Sequence, residues 1–310
     1  MLQGIVIKST GSWYTVQDEN GKFWECRLRG KIRLEGIRST NPIAVGDNVV
    51  FEQEAGKETA VIKNMLPRHN LIVRKATRLS KASHIIAANI DQAIVIVTID
   101  FPRTSTGFID RFLATAEAYH IPSLIVFNKY DLYDATHLGY LNKLMHYYNA
   151  IGYESFAVSA ATGYNLEKLK TCMTDRTSLL SGHSGVGKST LINLIEPSLN
   201  LKTGEISHIH NKGKHTTTFA EMHLLSDGGR IVDTPGIKEF GLYDLEKETL
   251  AQRFPEMRER MSECRYANCT HIHEPDCAVK KAVDEGKIAS WRYTNYLNMM
   301  SGQDTNENNN

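Results

Sequence analysis

The amino-acid sequence predicts a multidomain fold with a small all-β barrel at the N-terminus, a central α/β domain and a small α-helical domain at the C-terminus. Three observations predict it. Strand-like segments follow one another through about the first 65 residues, apolar strands then alternate with helical patterns, and a cluster of Cys and His precedes a last helical stretch. A chain of 310 residues with 41% hydrophobic content is long enough for two or three domains with their own cores.

The N-terminal region carries five short segments with the composition of β-strands. They are Gly4–Ser9, Trp13–Gln17, Lys22–Leu28, Asn48–Glu54 and Thr59–Leu66, with turn residues at 18–21, 46–47 and 56–57. Five short strands at this spacing indicate a small barrel such as an OB-fold.

The formal net charge of +1 conceals an uneven distribution, because residues 1–84 carry 14 Lys and Arg against 8 Asp and Glu. Basic residues alternate within one segment, so an extended chain would present a cationic face there: Arg27, Arg29, Lys31 and Arg33. This face could follow an RNA backbone, and it could equally be a solvated edge strand protected by its charges. A basic connector from Pro67 to His84 could continue the same surface with Arg68, Arg74, Lys75, Arg78 and Lys81.

Strands and helices alternate in the central region, as is typical of a doubly wound α/β domain. The strand-like segments are Gln92–Val97, Ser123–Phe127, Phe156–Val158, Thr177–Ser181 and Arg230–Val232. The helical patterns lie around Asp110–Tyr119, Leu138–Tyr148, Leu166–Cys172 and Ser189–Ile195, and Val279–Met300 also has a helical pattern.

Residues 182–189 match the phosphate-binding loop G-x-x-x-x-G-K-S/T, which lies between a strand and a helix as the motif requires. Backbone N–H groups of such a loop point at phosphates, Lys188 would neutralise the β- and γ-phosphates, and Ser189 would ligate Mg2+. Alone, the motif could be a structural turn or belong to an ATPase. The residues assigned to nucleotide binding here are Gly182, His183, Ser184, Gly185, Val186, Gly187, Lys188, Ser189 and Thr190.

A guanine-reading tetrapeptide, Asn128-Lys129-Tyr130-Asp131, follows an apolar strand. The Asp131 carboxylate can accept from guanine N1–H and the 2-amino group, a donor pair that adenine lacks, while Asn128 can reach the other edge and the Lys129 stem can cover the ring. Ser159 and Ala160 would bring a backbone N–H to guanine O6. A lone N-K-x-D is more often a surface turn, so this motif and the phosphate loop support each other in predicting GTP.

The order of these motifs is cyclically permuted. In an ordinary small GTPase the phosphate loop comes first, whereas here the order is 128–131, 159–160, 182–189, Thr216–Thr218 and Asp233–Gly236. The central domain is therefore predicted to be a circularly permuted P-loop GTPase. Asp233 is expected to act on Mg2+ through water or from the second layer, and the Gly236 N–H to sense the γ-phosphate.

The residue after Gly236 is Ile237, whose side chain cannot orient an attacking water as a Gln would. The candidate for this role is His215, in a long polar segment rich in Lys and His, although a solvent-exposed loop histidine is nearly as good an interpretation. Thr216 or Thr217 should complete the Mg2+ shell, and we favour Thr217.

The second cluster of chemistry-bearing residues is Cys264, Cys269, His271 and Cys277, a Cys3His set that suits one closed, structural Zn2+. His273 could compete as the fourth ligand. Disulfides are the alternative, and an odd total of five cysteines in a chain with no signal peptide argues against them.

No apolar run approaches the ~20 residues that span a bilayer, so we expect a soluble, cytoplasmic protein without membrane contact. We also expect it to be a monomer. Two alternatives to the function that the combined motifs imply remain open. One is a GTPase for a different RNA client, and the other is an RNA-binding module gated by GTP with negligible turnover.

The combined motifs resemble the RsgA (YjeQ) family of circularly permuted bacterial GTPases, over about residues 1–300. The resemblance rests on the permuted motifs, on Gly213-Lys214-His215-Thr216-Thr217-Thr218 and on the Cys3His set. It implies a GTPase that acts in late maturation of the small ribosomal subunit, contacts its rRNA and is stimulated by it. It also implies His215 as the water-positioning residue and His271 as the zinc ligand. Lys214 departs from the Arg that is common in the family.

These observations together give predicted boundaries. We expect an OB-fold RNA-binding domain at 1–68, a basic linker at 69–84, the GTPase domain at 85–243, a zinc-binding domain with a C-terminal helix at 244–300 and a disordered tail at 301–310.

Overall fold

The computed structural model describes residues 1–28, 42–74, 84–201, 221–233 and 246–302. They form two compact units. The first unit comprises Met1–Ala93, Leu166–Ser181 and Lys188–Lys238, and the second comprises Ile94–Asn165, Gly182–Gly187 and Glu239–Asn310. Each unit is therefore assembled from three separate stretches of the chain.

The first unit begins with a closed five-stranded barrel, which confirms the predicted OB-type fold. Its strands are β1 (Leu2–Ser9), β2 (Trp13–Asp18), β3 (Phe23–Leu28), β4 (Asn48–Gln53) and β5 (Ala60–Met65). They pair in the order β1-β2-β3-β5-β4, and β4 returns to β1. Only the β3–β5 pair is parallel among these five. Because the barrel is closed, each strand has a paired neighbour at both edges. One face of each strand then lines the core of the barrel.

The period-2 pattern of β2 and β3 explains the barrel core. Alternate residues of these strands point inward and are buried, among them Tyr14, Val16, Trp24 and Cys26. At the end of β2, Asp18 accepts hydrogen bonds from the Trp24 indole at 2.9 Å and from the backbone amides of Asn20 and Lys22, each at 2.9 Å. The turn between the two strands is thereby fixed, and the indole N–H is satisfied inside the barrel.

The segment that the sequence predicts as a basic linker carries a strand at each end. Strands β6 (Leu71–Arg74) and β7 (His84–Ala88) form an antiparallel pair. Arg68 is not available to nucleic acid, which corrects the expectation for this residue: its side chain is only 6% exposed and bonds both Asp47 oxygens, at 2.6 and 2.5 Å. Lys75, Arg78 and Lys81 lie outside the described residues.

The rest of the first unit is α/β. Strand β11 (Thr177–Ser181) pairs in parallel with β13 (Arg230–Asp233), and β12 (Glu221–Leu224) runs antiparallel to β13 and beside β1. Helices α3 (Leu166–Met173) and α4 (Lys188–Ile195) belong to this part. Gln92 joins α3 to β11, because its amide donates to the Cys172 carbonyl at 2.7 Å and to Ser178 Oγ at 2.9 Å.

The α/β part of the second unit consists of three neighbouring strands and two helices. Strand β8 (Gln92–Val97), of which Ile94–Val97 belong to this unit, neighbours β9 (Ser123–Phe127), and β9 pairs in parallel with β10 (Glu154–Ala157). Helices α1 (Thr106–Ala118) and α2 (Ala135–Ala150) begin at side-chain caps, Ser105 and Asp134. The continuous burial of β8 is typical of a strand covered on both faces.

The C-terminal part of the second unit is helical. It contains a 3₁₀ segment (Lys247–Arg253), α5 (Pro255–Arg258), α6 (Ala278–Asp284) and α7 (Ser290–Ser301). The helical pattern over Val279–Met300 is thus two helices. The chain turns at Gly286, with φ of +72°, and the amides of Lys287 and Ile288 both donate to the Ala282 carbonyl, at 2.9 and 3.1 Å. Glycine ends the first helix because it adopts positive φ without steric strain.

Further 3₁₀ turns occur at Tyr130–Leu132, Pro197–Leu199 and Met261–Glu263. The helical part shares one core with α1, since Ala114 packs with Phe254, Met257 and Tyr296. In the portion of the chain that the structure describes, every helix is too short or too polar to cross a membrane.

Candidate nucleotide and metal sites

The phosphate loop, residues 182–187, adopts a backbone that requires glycine. Gly182, Gly185 and Gly187 have φ of +142°, +84° and +93°, a region that residues with a Cβ avoid. Space is also lacking at two of them. A Cβ on Gly182 would lie 2.2 Å from the Ile96 carbonyl oxygen, and a Cβ on Gly187 would lie 2.4 Å from Asn128 Nδ2.

The loop has the strand and helix that the motif predicts on either side, β11 ending at Ser181 and α4 beginning at Lys188. Lys188 and Ser189 are buried, and Thr190 is exposed. Within the loop, Val186 is fully buried while Ser184 and Gly185 face solvent. The His183 ring packs against Phe108 of α1, with ring centroids 3.9 Å apart.

Asn128 connects the guanine motif to the phosphate loop. It follows the end of β9 and is 1% exposed. Its Nδ2 donates to the Val186 carbonyl at 2.8 Å, its Oδ1 accepts from the Ala160 amide at 3.3 Å, and its backbone amide donates to the Val97 carbonyl at 2.8 Å. One buried side chain therefore holds three sequence-distant motifs in register.

The other guanine-motif residues are also positioned by contacts. Asp131 is exposed and accepts a hydrogen bond from the Ser159 hydroxyl, which in turn accepts from the Thr162 amide at 3.1 Å. Lys129 adopts a φ of +63°, and its ammonium donates to the Phe101 carbonyl. Both side chains of the motif that flank Tyr130 in the sequence are thus held by a hydrogen bond.

Three contributors to this region are not predicted by any motif. The Tyr133 hydroxyl donates to the Asn128 carbonyl at 2.6 Å and accepts from the Ile99 amide at 2.9 Å, and burial raises the pKa of this phenol to about 12. Pro102 lies beside Gly185, and the Tyr164 ring stacks on Tyr130. The sequence contains no signal for these contacts beyond the proximity of Tyr133 to the motif.

Several predicted site residues are not placed. His215, Thr216, Thr217, Thr218 and Gly236 lie outside the described residues. Asp233 ends β13, but the position of its side chain is not described. Their assignments remain predictions.

The Cys3His set converges in space. The ligand atoms of Cys264, Cys269, His271 and Cys277 all lie within 4.8 Å of one another. His271 Nδ1 is 3.3 Å from Cys277 Sγ and 3.6 Å from Cys264 Sγ. A tetrahedral zinc, with Zn–S near 2.3 Å and Zn–N near 2.0 Å, separates its donors by roughly 3.5–3.8 Å, so the geometry fits a metal ion. His273, the competing ligand, is exposed and outside the group.

Surrounding hydrogen bonds fix the loop that carries the Cys3His set. From α7, the Tyr293 hydroxyl donates to the His271 carbonyl at 2.5 Å, and the Tyr296 hydroxyl donates to the Thr270 carbonyl at 2.7 Å. Glu274 accepts from the amide and hydroxyl of Thr270, both at 2.7 Å. Burial opposes ionisation of Glu274, but these bonds and the Ile272 amide outweigh it and lower its pKa to about 2.

The cationic face predicted on the barrel is described only at its first residue. Arg27 lies on β3, and its guanidinium is 2.5 Å from the Glu54 carboxylate and about half exposed. Arg29, Lys31 and Arg33 lie outside the described residues.

Comparisons with known proteins agree with this description. Residues 65–243 match the RsgA GTPase family, and residues 3–62 match the RsgA N-terminal domain. A relative from Christiangramia forsetii, named small ribosomal subunit biogenesis GTPase RsgA, is 53% identical over 307 residues, 98% of each chain. A relative of the same name from Bacteroides fragilis is 52% identical over 305 residues, covering 98% of this chain and 97% of its own.

Solved structures give the same result. The crystal structure of YjeQ from Thermotoga maritima has a TM-score of 0.79 at 36% identity, and the comparison covers 97% of this chain and 98% of that one. YloQ, described as a circularly permuted GTPase, has a TM-score of 0.76 at 31% identity, covering 98% and 95%. With these matches and the permuted motifs, the chain belongs to the RsgA GTPase family.

Proposed function

We propose that this chain is a GTPase that binds the small ribosomal subunit and its rRNA and assists late maturation of the subunit, acting as a monomer in the cytoplasm. The observation that carries the nucleotide part is the pair of Asn128 bonds, to Val186 of the phosphate loop and to Ala160. They bring the base-reading and phosphate-binding motifs together although their order in the chain is inverted. The ribosomal client follows from the names of the relatives, which are similar over nearly their whole length.

Base recognition would rest on Asp131, whose carboxylate accepts from guanine N1–H and the 2-amino group. The Ser159 hydroxyl holds one carboxylate oxygen and leaves the other lone pairs for the base. The Lys129 stem covers the ring face, and its contact with the Phe101 carbonyl keeps the ammonium at the edge of the site. Adenine offers no matching donor pair, so the site selects GTP.

Phosphate binding would use the backbone amides of residues 182–187, whose positive-φ glycines turn successive N–H groups inward. Lys188 neutralises the β- and γ-phosphates. Mg2+ accompanies GTP in this family, and its chemistry is to neutralise charge that develops on the β- and γ-oxygens. Ser189, in the first turn of α4, and Thr217 are each proposed to supply one hydroxyl to Mg2+.

Hydrolysis requires a group that orients water. Ile237 has none, so His215 is proposed to take this role, with Asp233 and Gly236 responding to Mg2+ and the γ-phosphate. Without a water-orienting Gln, catalysis must use a group from elsewhere or be slow until a partner binds. Stimulation by the small subunit is proposed from the resemblance to the RsgA family.

The Cys3His cluster is proposed to hold one structural Zn2+. Four protein donors leave no open coordination position, so the metal stabilises the loop between Met261–Glu263 and α6 and does not take part in hydrolysis. The barrel is proposed to contact rRNA through Arg27, Arg29, Lys31 and Arg33, where cations neutralise phosphates.

The test is GTP hydrolysis by the purified protein alone and with small subunits, large subunits or free RNA. We expect slow turnover alone, an increase of at least tenfold with small subunits only, and loss of that increase in His215→Ala. Equal stimulation by large subunits or free RNA would contradict the proposed client, and full stimulation of His215→Ala would contradict the role of this histidine.

Ile237 also supports a second candidate, a GTP-gated RNA-binding module with negligible turnover. The same assay separates the two functions. Tight GTP binding without hydrolysis at saturating small subunits would favour the module.

A further inference from the structure

Two loops of the second unit face the guanine site, and an aromatic stack joins them. The first, the motif loop, spans residues 128–132, and the second, the serine turn, spans residues 159–165. The rings of Tyr130 and Tyr164 have centroids 4.8 Å apart and planes inclined by 15°. This is a stacked pair, although Tyr164 is 45% exposed on the protein surface.

The polar contacts between the two loops involve groups that guanine itself needs. Ser159 bonds the Asp131 carboxylate, and the Ala160 amide bonds Asn128 Oδ1. A bound base would use the remaining lone pairs of Asp131 and the Ala160 amide itself, so the bond from Ala160 to Asn128 would weaken when the base enters. The tyrosine stack uses no base-reading group, so it can hold the loops together with and without nucleotide.

The backbone connects each of the two tyrosines directly to the base-reading residues. Tyr130 lies between Lys129 and Asp131, and its amide donates to the Val158 carbonyl at 3.1 Å. In the serine turn, the Ser159 amide donates to the Tyr164 carbonyl at 3.0 Å, and the Gly163 amide donates back to the Ser159 carbonyl at 3.0 Å. The residue that carries the second ring is therefore bonded through its backbone to Ser159.

We propose that the Tyr130–Tyr164 stack positions the two guanine-reading loops, and that Tyr164 is thereby a specificity-determining residue for the nucleotide base. The stack sets the separation between the Asp131 carboxylate and the Ala160 amide, which must match the width of a guanine edge. This inference rests on the proposed GTP binding.

The experiment measures dissociation constants for GDP and for inosine diphosphate, whose base lacks the 2-amino group that Asp131 accepts from. We expect the wild type to prefer GDP. In Tyr164→Ala, GDP should bind about 3- to 10-fold more weakly, the range for one aromatic pair, with a smaller change for inosine diphosphate. The ratio of the two constants should therefore move toward one.

Two controls accompany it. Tyr164→Phe keeps the ring and should keep the wild-type ratio. Tyr140→Ala removes a similarly exposed tyrosine, 41% exposed on α2, and should also keep the ratio. Tyr130→Ala tests the partner ring if Tyr164→Ala folds poorly, and the effects of the two alanine variants should not add in the double variant.

A purely structural role gives a different result. Equal loss of affinity for both nucleotides, or a lower Tm with an unchanged ratio, would overturn the positioning role. Failure of the wild type to bind GDP would instead overturn the proposed function, and the inference with it.

Discussion

At the residue scale, the candidate nucleotide site depends on positions where a single atom decides the local structure. Gly187 has a positive φ and lies next to Asn128, whose side-chain amide donates the hydrogen bond that joins the guanine motif to the phosphate loop. A methyl group added at Gly187 would disrupt this hydrogen bond more than it would destabilise the whole fold. The site is therefore sensitive to changes that the overall stability tolerates.

Gly187→Ala should weaken GDP binding at least tenfold, because the new Cβ would meet Asn128 Nδ2 at 2.4 Å and displace its bond to Val186. The matched control is Gly152→Ala, which has a similar φ of +97° but no atom within 4 Å of the added Cβ. Both variants should lose about 1 kcal/mol of stability from backbone strain. Titration with a fluorescent GDP analogue, together with Tm, checks this; equal affinities of the two variants would contradict it.

At the element scale, three helical segments of the second unit meet at a buried charge cluster formed by Arg292, Asp110 and Glu256. Arg292 of α7 lies 2.5 Å from the Asp110 carboxylate of α1 and 2.7 Å from the Glu256 carboxylate of α5, and its side chain is fully buried. Asp110 also accepts from Tyr148 at 2.8 Å and from Asn295 at 2.6 Å. These bonds tie α7 to α1 and α5, although Arg292 Nη2 and Glu256 Oε2 remain buried without a hydrogen-bond partner among the described residues.

Arg292→Met should lower the free energy of unfolding by about 3–5 kcal/mol, because two carboxylates would then remain buried without their cation. Arg258→Met is the control, since it removes a half-exposed arginine paired with Glu117 and should cost at most about 1 kcal/mol. Urea unfolding followed by tryptophan fluorescence measures both. Adding Asp110→Asn and Glu256→Gln to the first variant should restore part of the loss, and equal effects of Met at 292 and 258 would refute the account.

At the scale of the whole molecule, each compact unit combines stretches that are distant in the sequence. Residues 182–187 belong to the unit of the guanine motif, whereas β11 before them and α4 after them belong to the unit of the barrel. The Cys3His cluster lies in the second unit and shares a hydrophobic core with α1, through Cys277, Val279 and Ala114. Removal of the proposed metal should therefore destabilise the helical part of this unit first.

The purified protein should contain one zinc per chain, and a strong chelator should make residues 259–289 the first site of proteolysis. Cys269→Ser should lose the zinc and lower Tm, because three remaining donors do not close a tetrahedral site. Cys172→Ser, outside the cluster, should retain it. Metal analysis and mass spectrometry of limited digests give the answer; full zinc content in Cys269→Ser would exclude this residue as a ligand.

The sequence by itself determined the barrel strands, the alternation of the α/β regions, the permuted motifs and the Cys3His set, because each depends on local periodicity or on fixed spacing of side chains with particular chemistry. It predicted the strands of the barrel to within two residues, and it predicted Ser123–Phe127 and Thr177–Ser181 at their observed bounds.

Only the tertiary structure decided which distant groups meet. The sequence pattern suggests that Arg68 is an exposed cation, but its side chain is buried against Asp47. The helical pattern of Val279–Met300 is interrupted at Gly286. No sequence pattern indicates which residues Tyr164 and Arg292 contact. The physical reason is that a local sequence pattern shows only which positions along a single helix or strand are buried. Pairing between elements depends on packing, which brings together residues separated by tens to hundreds of positions.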